Sequence, residues 1–124
     1  LVIVQINPIV RSEIPRRAND ILNRINEITF NASLIKEVRT ISLLKKLIEV
    51  SNHKDERYKD ALFHRINADV ELRDLSVSSK VNSEWAFLEH LHDVGYRITD
   101  TWLKENYRHL GRRSTLDVES VYLH

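Results

Sequence analysis

The chain has two glycines, Gly95 and Gly111, two prolines, no cysteine and no methionine. Each shortage excludes some chemistry. The nucleophile elbow G-x-S-x-G needs two glycines around a serine. The phosphate-binding loop and the dinucleotide fingerprint need glycines so that backbone can approach phosphate. Gly95 and Gly111 lie too far apart to share any of these motifs. No serine precedes a glycine, so none has the strained turn beside an oxyanion donor that acyl transfer uses. Without cysteine there is no disulfide, no thiolate nucleophile and no cysteine zinc site. That lack is compatible with a reducing compartment, and the cytoplasm is slightly favoured.

The missing methionine and the opening on Leu1 bear on completeness. Leu1 to Ile6 is an apolar, β-branched run that stops at Asn7-Pro8. It reads as a strand of residues 1–6, apolar on both faces, ended by a turn. Such a strand needs partners on both edges, so the chain is expected to be a fragment. No basic region precedes the run, which argues against a signal peptide. In isolation the strand is expected to pair with another copy, giving a homo-oligomer through residues 1–6, or to be buried by the chain's own helices.

What is present describes an ordinary globular domain. At 124 residues one domain with a real core is expected. Nineteen Lys and Arg balance eighteen Asp and Glu, for a net charge of +1, so there is no electrostatic footprint of a nucleic-acid binder. No apolar run approaches the ~20 residues of a membrane span.

Periodicity then divides the chain. Residues 7 to 15 connect the strand to a helix start at Pro15. From about 17 to 50 the pattern is helical, with a break allowed near residues 31 to 33. Ile21, Ile25, Ile28, Ala32 and Ile35 form one apolar stripe. Leu34, Val38, Ile41, Leu44 and Ile48 form a second, so the apolar face is wide. Residues 51 to 60 read as a polar loop, residues 61 to 66 as a short strand and residues 67 to 81 as a loop with the serines Ser76, Ser78 and Ser79. Strand, crossover helix and strand would make one βαβ unit.

Two helices follow, at about 83–94 and 96–110, with Asn82 as cap and Gly95 as stop or kink. Trp85, Leu88, Leu91 and, less strictly, Phe87 and Val94 mark the apolar face of the first. Ile98, Trp102, Leu103 and Tyr107 mark the second, and both tryptophans are expected in the core. Leu110-Gly111 reads as a left-handed stop, and residues 114 to 117 as a cap for one last turn. The fold class is therefore mainly α with one or two β-strands.

No catalytic, cofactor-binding or metal-ligating residue is assigned. His90 and His92 are about 200° apart around a helix. His53 falls in the polar loop and His64 in the candidate strand. His109 precedes the helix stop, where the dipole favours a cation. All read as surface or capping histidines. Arg108, Arg112 and Arg113 read as a solvated basic cluster, with contact to phosphate or a lipid head group as the sharper reading.

Two strings carry a resemblance. Arg24-Ile25-Asn26-Glu27-Ile28-Thr29-Phe30-Asn31 resembles the R-I-N-E-I-[ST]-F-N segment of bacterial patatin-like phospholipases. Residues 79 to 88, S-K-V-N-S-E-W-A-F-L, are similar to that family's S-K-[LV]-N-x-E-W-x-F-L segment. Ile3-Val4-Gln5-Ile6-Asn7-Pro8 is similar to the strand those enzymes carry shortly after their catalytic aspartate. The resemblance implies a C-terminal fragment of an α/β patatin-like fold, spanning residues 1–124 as a single helical region. It implies a parent that hydrolyses lipid acyl esters with a Ser–Asp dyad and no cofactor. Its partners would be the upstream catalytic domain and the parent's lipid substrate. The family's G-x-S-x-G, D-G-[GA] and glycine-rich oxyanion loop are absent from this sequence, so the chain alone is expected to be inactive. The polar string Asn26, Glu27, Asn31 and Ser33 interrupts the long helix's apolar face and is either solvated or partnered by a loop of the catalytic domain. The alternatives are a helical protein-interaction module and a module that binds lipid head groups.

Overall fold

A computed structural model gives the fold and describes residues 1–51, 60–73, 75, 79 and 81–123. The expected polar loop, with His53, and the serines Ser76 and Ser78 lie outside the described residues, apart from the loop's ends. Strand β1 (Val2–Gln5) leads into helix α1 (Ala18–Ser51). Strand β2 (His64–Asn67), helix α2 (Trp85–Asn106), a 3₁₀ turn (Tyr107–His109) and helix α3 (Val118–Tyr122) follow. The chain is mainly α with one two-stranded sheet. β1 and β2 are parallel, with Val2 opposite His64 and Gln5 opposite Asn67, so β1–α1–β2 is the expected βαβ unit.

Side-chain alternation splits the sheet's two faces between different helices. On the face of His64 and Ile66, the His64 ring meets Trp102 of α2 edge-on, with centroids 6.1 Å apart. On the face of Ile3 and Gln5, the buried Tyr122 of α3 donates its hydroxyl proton to Gln5 Oε1 at 2.8 Å. Burial pushes the Tyr122 phenol above its ordinary value. α3 packs on α1, and an ion pair joins Lys46 to Glu119. The result is a helix–sheet–helix sandwich.

β2 begins later than expected. Phe63 leads into it and turns its backbone away from β1. Its N–H donates to Ser114 Oγ at 3.0 Å, and its carbonyl accepts from Thr115 and Leu116. This segment therefore covers β2's outer edge at Phe63. The outer edge of β1 makes no backbone hydrogen bond to a further strand among the described residues.

Both long helices depart from the expected pattern. α1 starts after Pro15 and runs unbroken through residues 31 to 33. The Thr29 and Thr40 hydroxyls donate back to the carbonyls of Ile25 and Lys36, satisfying themselves within the helix. The face turned inward is that of Glu27, Asn31, Val38 and Ser42. Of the first apolar stripe, Ile21, Ile25, Ile28 and Ala32 are exposed and Ile35 is half-buried.

α2 is one helix across Gly95, not two. Glycine weakens a helix interior by only ~1 kcal/mol, and Phe87, Leu91, Val94, Ile98 and Trp102 anchor both halves on the inner side. Its N-cap is Glu84 rather than Asn82, whose Oδ1 accepts from the Glu84 N–H at 2.9 Å. Trp85 is 72% exposed, against expectation, whereas Trp102 is half-buried. Read as one helix, the apolar positions form two stripes: Phe87, Leu91, Val94, Ile98 and Trp102 turn inward, and the stripe through Trp85 does not.

The chain end follows expectation. Gly111 has φ 71°, and Asp117 caps α3 by accepting from the N–H groups of Glu119 and Ser120.

The two glycines should respond oppositely to alanine. A Cβ on Gly95 meets no heavy atom within 4 Å, so Gly95→Ala should raise stability by about 0.5–1 kcal/mol. Gly111→Ala should lower it by about 1 kcal/mol through its left-handed φ. Urea midpoints of the two variants check the pair; equal shifts would contradict it.

Candidate functional site

In open α/β sheets, ligands bind beyond the carboxyl ends of the strands. Here both strands end on polar residues, Gln5-Ile6-Asn7 and Asn67-Ala68-Asp69. Beyond them opens a pocket of about 330 Å³. Its apolar side is built by Ile66 from the sheet and by Phe87, Leu91 and Ile98 from α2. Its polar wall carries Asn67, Arg11 and Glu27.

The polar wall is a buried network that fixes the segment after β1. Glu27 is 6% exposed. Arg11 donates to it through Nε and Nη2, with Nε at 2.9 Å from Oε2. Arg24 donates to Oε2 at 3.2 Å, and its other terminal nitrogen donates to the Ile9 carbonyl at 2.9 Å. One turn further on, Asn31 Nδ2 donates to the carbonyls of Asn7 and Pro8. Gln5 Nε2 also donates to the Asn7 carbonyl, at 2.8 Å. Burial raises the Glu27 pKa, but the hydrogen bonds and charges of Arg11 and Arg24 outweigh it, leaving the carboxyl below its ordinary value.

This arrangement resolves the polar string of α1. Glu27 and Asn31 are buried with partners from the chain's own residues 7–11, not from another domain. Asn26 and Ser33 are exposed. The charge pattern supplies only the Arg24–Glu27 pair at three-residue spacing; the other partners are backbone carbonyls and Arg11, which lie in a loop.

Chemically, the pocket's described lining offers one guanidinium and one carboxylate on a largely apolar wall. It holds no histidine, and its one carboxylate is Glu27. A carboxylate held ionised by two guanidiniums is a poor general base. Among the described residues no three His, Asp or Glu side chains gather as a metal site would require.

The histidines divide differently from expectation. His64 is buried, not on the surface, and its Nδ1 lies 2.9 Å from Thr115 Oγ1. Burial holds its pKa low. His109 is an acceptor and not the expected cation. Arg113 Nε lies 3.1 Å from its Nδ1 and Arg108 Nε 3.4 Å from its Nε2, and a neutral imidazole accepts at one of these nitrogens, not both. Desolvation and the charges of Arg113 and Arg108 lower its pKa. Arg108, Arg112 and Arg113 are exposed and have no carboxylate partner among the described residues. Sequence reasoning placed this cluster correctly at a helix end.

No family model, no curated protein and no solved structure matches the chain.

Proposed function

We propose that this chain is the C-terminal structural part of a patatin-like phospholipase, a lipid acyl ester hydrolase whose Ser–Asp dyad lies upstream. Its role there is to extend the catalytic sheet and to fix the segment that leaves that sheet at its carboxyl end. The observation that carries this reading is the outer edge of β1, which no further strand covers among the described residues. A parallel strand pair layered by helices on both faces is the pattern of an α/β sheet, and such strands are normally flanked on both edges. The outer edge of β1 is where the sheet of the catalytic domain would continue. The resemblance supports the same reading from another side. Glu27 and Asn31 belong to the R-I-N-E-I-T-F-N string, and both hold the segment after β1.

The purified 124-residue chain is expected not to hydrolyse a short-chain acyl ester above a heat-treated control. The coding region upstream of Leu1 is expected to supply G-x-S-x-G and a D-G pair, and its product to be active. Turnover by the chain alone, lost on replacing one of its own serines, would overturn the proposal. So would an upstream region without those motifs. The reading of the chain as a helical interaction module is favoured by one observation, the second apolar stripe of α2.

A further inference from the structure

Trp85, Leu88, His92, Tyr96, Leu103 and Tyr107 follow the three- and four-residue spacing of one helix face. They run the whole length of α2, about 33 Å at 1.5 Å per residue. All six are exposed. The opposite face already packs on the sheet through Val94, Ile98 and Trp102. A helix that is apolar on two opposed faces is built to be covered on both.

The charges beside the outer stripe indicate what covers it. They are segregated along the axis. Glu84, Glu89 and Asp93 stand at the N-terminal end, and Arg108, Arg112 and Arg113 at and beyond the C-terminal end. All are exposed. Two acidic residues fall toward the basic end: Asp100, which is ion-paired with Lys104, and Glu105, which lines the inner side beside Trp102. The distribution is also symmetric in sequence. Tyr96 lies midway between Trp85 and Tyr107, midway between Glu84 and Arg108, and midway between His92 and Asp100.

We infer that the outer face of α2 is a homodimer interface, in which two copies pair their α2 helices antiparallel about a two-fold axis at Tyr96. In that arrangement each Trp85 meets the other copy's Tyr107. Each acidic end meets a basic end, and the two helix dipoles oppose. The contact is isologous, as a two-fold pair requires. The area is adequate. Trp85, Tyr96 and Tyr107 are 72%, 67% and 71% exposed. At 150–250 Å² per buried ring, they alone could bury on the order of 300–500 Å² per copy, about half the ~800 Å² per partner of a standard interface. An anionic membrane fits the face less well, because Glu89 and Asp93 stand beside the stripe and would repel it.

Cysteine chemistry provides the test, since the chain has no cysteine of its own. In the 124-residue chain, Tyr96→Cys places two thiols at the axis, while Trp85→Cys places them at opposite ends of the interface. Under mild oxidation Tyr96→Cys should form disulfide dimers at least about tenfold faster than Trp85→Cys, because cross-linking demands close approach of the two Cβ atoms. Light scattering should find a dimer for the native chain. Tyr96→Arg, at an exposed position, should weaken it roughly a hundredfold through like charges at the axis. Exchanging Glu84 and Glu89 for Arg should weaken it too, and adding Arg108→Glu and Arg112→Glu should restore it. A native monomer at all concentrations, with or without binding to phosphatidylserine vesicles, would overturn the inference. Equal cross-linking of the two cysteine variants would do the same. So would a dimer that survives Tyr96→Arg but is lost on deleting residues 1–6.

Discussion

Phe63→Ala should lower the unfolding free energy by about 3–5 kcal/mol, the range for truncating a buried phenylalanine. Phe63 is 3% exposed. Its backbone also holds Ser114, Thr115 and Leu116 against β2, so the surrounding structure cannot easily collapse onto the cavity. Phe30 provides the contrast. It is 65% exposed on α1, and Phe30→Ala should shift stability by no more than about 0.5 kcal/mol. Urea unfolding followed by tryptophan fluorescence separates the two. Similar midpoints for both variants would show that Phe63 is not a core residue.

Glu27→Ala is the second large effect, expected at about 2–4 kcal/mol. Removing one member of a buried ion pair leaves its partners desolvated and unmatched. Arg11 and Arg24 are each less than a third exposed, which lessens the penalty but does not remove it. Acid should act on the same group. The folded carboxyl titrates below its ordinary 4.5. Its contribution is therefore complete above that value and is lost as the pH falls through the lower folded value. Glu27→Gln should be destabilised near neutrality and should show a shallower loss of stability below about pH 4.5. A Glu27→Gln variant with native stability at pH 7 would show that Arg11 and Arg24 do not depend on the carboxylate.

The features that sequence made legible are those set by local rules. The β-branched run of β1, the length of α1, the left-handed stop at Gly111 and the Asp117 cap all depend on neighbouring residues. Features that depend on tertiary choice were not legible. α1 and α2 each have more apolar positions than one packed face uses, and tertiary packing selects the face that turns inward. For α2 the choice falls on Val94 and Trp102, leaving Trp85 outside. For α1 it falls on Glu27, Asn31 and Val38. A buried polar pair wins that face because residues 7–11 bring carbonyls and Arg11 to meet it. His64 was hidden for the same reason. Its partners, Thr115 and Trp102, are distant in sequence, and no spacing rule connects them. The polar wall of the pocket could have been suspected from the interrupted face of α1, but its partners could not.

The parallel pairing of β1 with β2 also sets an order of events. The Leu1 backbone nitrogen donates to the Leu62 carbonyl across a separation of 61 residues. Bringing such distant points together costs roughly 3–4 kcal/mol of chain entropy from the length-dependent contribution alone. Helix formation in α1 and α2 closes no such loop and is governed by bonds between near neighbours. β1 and β2 can therefore pair only once the residues between them are in place. Until then, the edge-forming residues of β1 remain open to any other chain nearby.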